Sequence, residues 1–386
     1  MKKVKLRTIA QITAGQGAPQ GDFAYGTSGI PFIKAGHLKD LVAGTNEYDL
    51  PKISEDIATQ YQLKIYPAGA IIFAKSGMSC TKGYVYQLQS NCYVVNHLAV
   101  IIPNSKEDGN YLRHYFTFCR PNALVKDESY PSISLSDIGN IEIRLYPSHL
   151  QNKITKTLNL IEHLTMVRKG QLAKLNRLAS SRFIEMFGDP DNNTKNYPTA
   201  KIGDIAQCIA GATPSTAINE YWDNGNIPWM SSGEVNLGRV FSTEKKITQK
   251  GYDNASTHLV PPHTVVLAMA GQGRTRGTVA ITEIELCTNQ SLCSLVTTPQ
   301  TINPFYLFHY LKTQYDNLRN ASNGDGGRGG LNLRIIGNYR IILPPLALQN
   351  EFAAFIEQLD KSKVTIQKSL DRLNLLYKAL LQEYFG

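Results

Sequence analysis

The sequence predicts an α+β fold: two tandem mixed domains, each followed by a long helix, the helices pairing as an antiparallel intramolecular coiled coil with an internal pseudo-twofold repeat. Three observations carry this expectation. Residues 138–188 run without a gap against 336–386 at a constant offset of 198, with 16 of 51 positions identical. Average residue usage would leave only about three or four identities by chance. The second copy then shows apolar residues seven apart. Finally, short β-like runs cut by Gly, Pro and Asn precede both helical parts.

Taken in chain order, a first domain is expected over 1–149, with strand-like runs at 70–74, 93–102 and 141–145 and a helical stretch at 110–119. A spacer helix follows over 150–188. Its seam is Ile154, Leu158, Ile161, Leu172 and Leu175, with Met186 further on, interrupted by Thr165, Arg168, Ala179 and Arg182. The stretch 189–198 (DPDNNTKNYP) has the turn chemistry of a linker. The second domain covers 199–347, with strand-like runs at 265–268, 292–296 and 339–343 and helix at 304–319. In the last helix, 348–386, Phe352, Leu359, Ile366, Leu373 and Leu380 fall on one seam position. Ile356, Leu370, Tyr377 and Tyr384 fall on the other, with Lys363 as the exception. A heptad seam of this length asks for another helix. The matching stripe in the first copy is the economical partner; packing of each helix on its own domain, or dimerisation between chains, are the alternatives. A helix of about 35 residues would be a rod ~50 Å long.

The domains also correspond in blocks. Leu6 to Gly15 faces Ile202 to Gly211, and Pro67 to Gly77 faces Pro261 to Gly271, at offsets that wander between 194 and 197. Length changes of this kind belong in surface loops.

Composition bounds the function. The chain is 42% apolar and 18% charged, with a formal net charge of +9 and a pI near 9.1, a bias that suits a polyanionic partner without demanding one. No apolar run approaches the ~20 residues of a membrane span, and the basic start lacks a signal-length apolar core, so a cytoplasmic protein is expected. Cys80, Cys92, Cys119, Cys208, Cys287 and Cys293 show no metal-ligand spacing and are expected to be free thiols. Catalytic motifs fail in context. Residues 324–329 (GDGGRG) follow no strand and open no helix, as a dinucleotide loop must. The glycine-rich 271–277 lacks the Gly-Lys-Ser/Thr of a phosphate loop, and the eight histidines are scattered. A non-catalytic binder with no metal site is expected.

Leu343-Pro-Pro-Leu-Ala-Leu-Gln349 and its twin Leu145-Tyr-Pro-Ser-His-Leu-Gln151 each lead from a strand into a heptad helix. With this motif and two domain–helix units in tandem, the chain resembles the specificity subunit of type I restriction–modification systems, over its whole length. Tyr146 and Ser148, where the second copy has Pro344 and Leu346, are the departure. The resemblance implies two target-recognition domains, each reading one half of a bipartite, asymmetric double-stranded DNA site. It implies helices that set the spacer and dock two methyltransferase (modification) subunits, restriction/translocase subunits joining them, and a role in phage defence. It places S-adenosylmethionine and ATP/Mg on those partners, with no cofactor in this chain and no membrane association.

Candidate DNA contacts lie where the copies share a framework but differ at the tips. Residues 75–83 face 269–277, with Gly77/Gly271 and Gly83/Gly277 in common. Lys75, Ser76 and Lys82 are candidates for the first half-site, and Gln272, Arg274 and Arg276 for the second, because such side chains reach base edges and phosphates. A solvated hairpin tip is the alternative. The glycine-rich 323–332, with Arg328 and Asn332, forms a second group, with 129–134 as its counterpart. Lys34, Ser231 and Ser232, after the shared Ile-Pro-aromatic strand, form a third, while Phe32 and Trp229 are expected in the core. The competing reading of the whole chain is a coiled-coil scaffold for protein partners.

Overall fold

A computed structural model describes residues 2–271, 273, 275–321 and 330–386. The chain folds into two compact units: Met1–Lys169 together with Lys368–Gly386, and Gly170–Gln367. Each unit holds one mixed domain, the start of that domain's own long helix and the end of the other long helix.

In the first unit, β1 (Lys2–Lys5) pairs antiparallel with β9 (Glu142–Leu145). A four-stranded sheet has the order β2 (Ala10–Ala14), β8 (Leu98–Pro103), β5 (Ile71–Ala74), β6 (Val85–Gln87), and a three-stranded sheet the order β4 (Lys52–Ile53), β3 (Ile30–Ile33), β7 (Tyr93–Val94). The second unit repeats the plan. β10 (Thr199–Lys201) pairs with β19 (Arg340–Ile342). The larger sheet runs β11 (Ala206–Ala210), β18 (Leu292–Thr297), β15 (Val265–Ala268), β16 (Val279–Thr282), and adds β13 (Arg239–Val240) at its edge. The smaller sheet runs β14 (Lys245–Ile247), β12 (Ile227–Met230), β17 (Cys287–Thr288). β5 and β15 are apolar without alternation because both their faces are covered. Phe32 and Trp229 are buried as expected.

Two expected runs are broken. The 93–102 run becomes β7 and β8, because Val95 bonds back to Ile33 O (3.0 Å) and Leu98 to Val95 O (3.0 Å), turning the chain from one sheet into the other. The 304–319 helix becomes Pro304–Thr313 and Tyr315–Ala321. Gln314 at the break is buried, donating to Asp191 (2.8 Å) and accepting from the Tyr339 hydroxyl (2.7 Å). Asp191 lies in the linker, which is thereby tied to the second domain.

The long helices span Ser148–Phe187 and Leu346–Phe385, 40 residues each, starting directly after Pro147 and Pro345. The Leu-Gln of the shared motif has a structural role. Gln151 donates to Tyr146 O and Gln349 to Pro344 O, both at 2.7 Å, fastening the first turn of each helix to the short connection from the strand before it. A matched tyrosine pair braces the same strands: Tyr111 donates to Arg144 O (2.6 Å) and Tyr306 to Ile342 O (2.8 Å).

The helices run antiparallel within each unit. In the first, Tyr146, just before one helix, donates to Tyr384 O near the end of the other (3.2 Å), while Glu162 meets Tyr377 (2.6 Å). In the second, Arg182 reaches Glu351 (2.9 Å) and Phe187 packs edge-on against Phe352. Of the expected seam, Ile154, Leu158, Ile161, Phe352, Leu359 and Leu370 are buried. Leu172, Leu175, Ile366, Leu373 and Leu380 are only half-buried. Ala179 does not interrupt the seam; it is 4% exposed. The strict heptad gives way near the helix ends, where the helices bury Phe183, Phe187, Leu381 and Phe385 against the domains.

Arginines clamp each domain to its helix. Arg113 binds Glu162 through both terminal guanidinium nitrogens (2.9 and 2.7 Å) and also reaches Asn159 (2.7 Å). In the second unit Arg239, on β13, joins Glu283 (2.7 Å) and Asp360. Glu162 and Asp360 occupy equivalent repeat positions, 198 apart, but their arginines come from non-equivalent elements. His114 fills the first junction, 2.8 Å from Asn159 Oδ1 and 3.1 Å from the Tyr377 hydroxyl.

Burial, followed by the adjacent Arg113 charge, pushes His114 down to about 4. Burial, followed by Lys312, Lys363 and Arg239, pushes its counterpart His309 down to about 3. An unfolded histidine titrates near ~6.5. Below that pH the unfolded chain therefore binds protons that the native state refuses, and stability falls as pH drops from about 6.5 toward 4. For His114 the loss at the low end is about 3 kcal/mol. Urea midpoints measured at pH 7.5, 6 and 5 should decline, and His114→Asn should flatten the slope.

Candidate nucleic-acid interface

The candidate surface in the first unit is built at the end of β5. Lys75 N bonds to His97 O (2.9 Å), Ile133 N to Lys75 O (2.7 Å) and Gly77 N to Pro131 O (3.0 Å). Ser76 and Ser132 form a bridge, and the Ser76 hydroxyl lies 2.9 Å from His97 Nδ1. The two expected candidate segments, 75–83 and 129–134, are therefore joined into one platform. Between Gly77 and Gly83 the chain closes as the short helix Met78–Lys82, leaving Lys82 exposed.

The second unit builds the same frame. Met269 N bonds to Ser291 O (2.8 Å), Leu331 N to Met269 O (3.0 Å) and Gly277 N to Ala268 O (2.9 Å). Arg319 grips the loop from the helix Tyr315–Ala321, donating to Gly273 O (2.7 Å) and Arg276 O (3.3 Å). All four shared glycines have left-handed φ: Gly77 at 74°, Gly83 at 65°, Gly271 at 137° and Gly277 at 84°. A side chain at Gly83 would also start 2.4 Å from Asn122 Oδ1. Only glycine takes these positions without strain, so the frame is shared while the tips differ.

The candidates divide on this geometry. Lys75, Ser76 and Lys82 sit together on the first platform, and Arg276, half-buried, sits on the second. Gln272, Arg274 and Arg328 lie outside the described residues. Asn332 also serves the fold, its side chain accepting from Ile335 N (2.9 Å) to cap the helix Leu333–Asn338, as Ser134 caps its counterpart. Ser231 likewise spends its hydroxyl on Glu234 (2.9 Å) in a capping box, with Ser232 following it in the same turn. Lys34 lies over the Tyr25 ring at 4.1 Å. Serine and asparagine are good caps as well as good base readers, and sequence does not separate the two uses. Sequence reasoning missed the gripping Arg319 and the exposed Met78 and Tyr130, because nothing in their spacing marks them. Among the described residues no group of His, Cys, Asp and Glu could hold a metal, and no helix is long and apolar enough to cross a membrane.

A model of the type I restriction modification DNA specificity domain matches this chain twice, over residues 1–177 and 194–375. The chain belongs to this family. The tandem match falls on the two mixed domains and their helices, so the specificity domain is present in duplicate. This specificity-family chain is 30% identical over 194 residues to the type I restriction enzyme MjaIX specificity subunit of Methanocaldococcus jannaschii, covering 48% of this chain and 43% of the relative. That match spans less than half the relative's length. The putative MjaX specificity subunit of the same organism is 21% identical over 385 residues, covering 90% of this chain and 83% of that one. The fold is shared with the crystal structure of a type I restriction–modification S subunit from M. genitalium, at a TM-score of 0.65 and 14% identity, covering 100% of this chain and 96% of that one. Family membership disfavours the scaffold alternative.

Proposed function

We propose that this chain is the non-catalytic, DNA-reading specificity subunit of a type I restriction–modification complex. Each mixed domain reads one half of a bipartite asymmetric site, and the paired helices fix the unread spacer. Two methyltransferase subunits dock on the chain and restriction/translocase subunits join them. S-adenosylmethionine and ATP/Mg bind to those partners, in the cytoplasm. The observation that carries this is the pair of loop platforms: one glycine-held frame made twice, with lysines at one tip and arginine at the other. A duplicated frame with diverged tips suits a target whose halves differ in sequence. Two readers on one face of B-DNA sit about 34 Å apart, one helical turn, a spacing that rod-like helices can hold.

The test is co-expression with the neighbouring methyltransferase gene, followed by genome-wide mapping of methylated bases. A single two-part motif, with modified adenine in each half and a constant gap, is expected. Exchange of residues 199–335 for those of another specificity chain should then change one half only. A stable complex that adds no methylation would overturn the reading.

Phosphate contacts give a second measure. Each contact contributes about 0.9 to the slope of log affinity against log salt. Lys75→Ala combined with Lys82→Ala should weaken binding and lower that slope by up to about 2. An unchanged slope would remove these lysines from the interface.

A further inference from the structure

Two large apolar side chains stand out in solvent on the first platform. Tyr130 is 83% exposed and Met78 is 66% exposed. They flank a single hydrogen bond: Met78 follows Gly77, Tyr130 precedes Pro131, and Gly77 N donates to Pro131 O at 3.0 Å. The frame beneath is firm. Pro131, Ile133 and Cys80 are buried, Ile133 N is bonded to Lys75 O, and Cys80 N is bonded to Gly77 O (2.9 Å). The apolar pair is therefore held out by the fold, in a setting of Lys75, Lys82 and the Ser76–His97 pair. Of the two acids on the same loop, Asp127 accepts from Ser129 N (2.8 Å) and Glu128 is exposed.

An exposed apolar pair on rigid backbone, rimmed by polar groups, has the anatomy of a binding hot spot. The lysines select an anionic partner. Within a DNA groove, the base feature that rewards an apolar contact is the 5-methyl group of thymine. Resting on the DNA-reading function above, we propose that Tyr130 and Met78 form an apolar reading edge that packs against a thymine methyl group in the first half-site. Lys75 and Lys82 hold the adjacent phosphates and set the register, and the methyl contact supplies discrimination.

The experiment uses the full chain in complex with its methyltransferase and duplexes carrying the mapped site. Each thymine of the first half-site is replaced in turn by deoxyuridine, which lacks only the methyl group, and affinity is read by fluorescence anisotropy. The unsubstituted protein should lose about four-fold at one or two positions, the worth of one buried methyl. Tyr130→Ala with Met78→Ala should bind the thymine duplex more weakly and no longer distinguish thymine from uracil there, while Tyr130→Phe keeps the distinction. A double variant that still discriminates would overturn the proposal, as would a first half-site without thymine. A rise in 2-aminopurine fluorescence on binding would mean insertion between bases, which also overturns the methyl contact. Salt-sensitive, specific binding by the unsubstituted protein tests the DNA-reading function independently, so its failure is distinguishable from failure of this contact.

Discussion

Phe385→Ala is expected to destabilise the first mixed domain by about 3–5 kcal/mol, the usual cost of deleting a buried aromatic ring. Phe385 is 5% exposed. The ring packs edge-on against Tyr111 (5.2 Å) and Tyr115 (5.8 Å) and also meets Phe118 (6.3 Å). Tyr111 in turn braces the strand that leads into the first long helix. Removing Phe385 thus leaves a cavity that the tyrosines cannot fill without releasing that strand. Hydrogen exchange should show loss of protection in Lys106–Cys119 and Ile71–Ala74. Phe187→Ala, the equivalent change, should produce its loss in the second domain, where Phe187 meets Tyr306 (4.8 Å) and Phe352 (5.5 Å). Unchanged protection in both variants would mean that the helix ends are not anchored as described.

Arg239→Ala should be of similar size, about 3–5 kcal/mol, because it strands charge and does not simply delete a contact. Arg239 lies between Glu283 and Asp360, whose side chains are only 11% and 16% exposed. Without it, among the described residues Glu283 has His263 at 3.7 Å and Asp360 has Lys363 at 3.2 Å. Two nearly buried carboxylates would then repel each other across the junction of β13 and the second long helix. Arg239→Lys should recover only part of the loss, since one ammonium does not span both acids as the planar guanidinium does. Chemical denaturation of the three proteins checks the order. The Arg113–Glu162 pair should be worth less, because Glu162 is 36% exposed and solvent screens it.

The contrast between these clamps shows where the sequence stops being legible. Glu162 and Asp360 align at the repeat offset, but Arg113 comes from the helix Lys106–Cys119 and Arg239 from an edge strand that the first copy lacks. No sequence pattern pairs them, because the partners are distant in the chain and their approach is fixed by packing.

The same holds for the candidate site. Gly77, Gly83, Gly271 and Gly277 marked the loops in sequence because only glycine accepts their backbone geometry. That residues 129–134 fold onto 75–83 was not legible, since the joining bonds are made by backbone groups that every residue carries. Nor was it legible that Asn332 and Ser231 are helix caps.

By itself, the sequence determined the duplication, the α+β class, the two long heptad helices and the likeness to the specificity family. These rest on periodicity and local chemistry, which survive in the order of residues. Only the tertiary structure decided that each compact unit takes the end of the other domain's helix, burying Phe385 in the first and Phe187 in the second. Helical spacing declares that a face is apolar. Which surface covers that face depends on shape complementarity between segments hundreds of residues apart, and that is written in no local pattern.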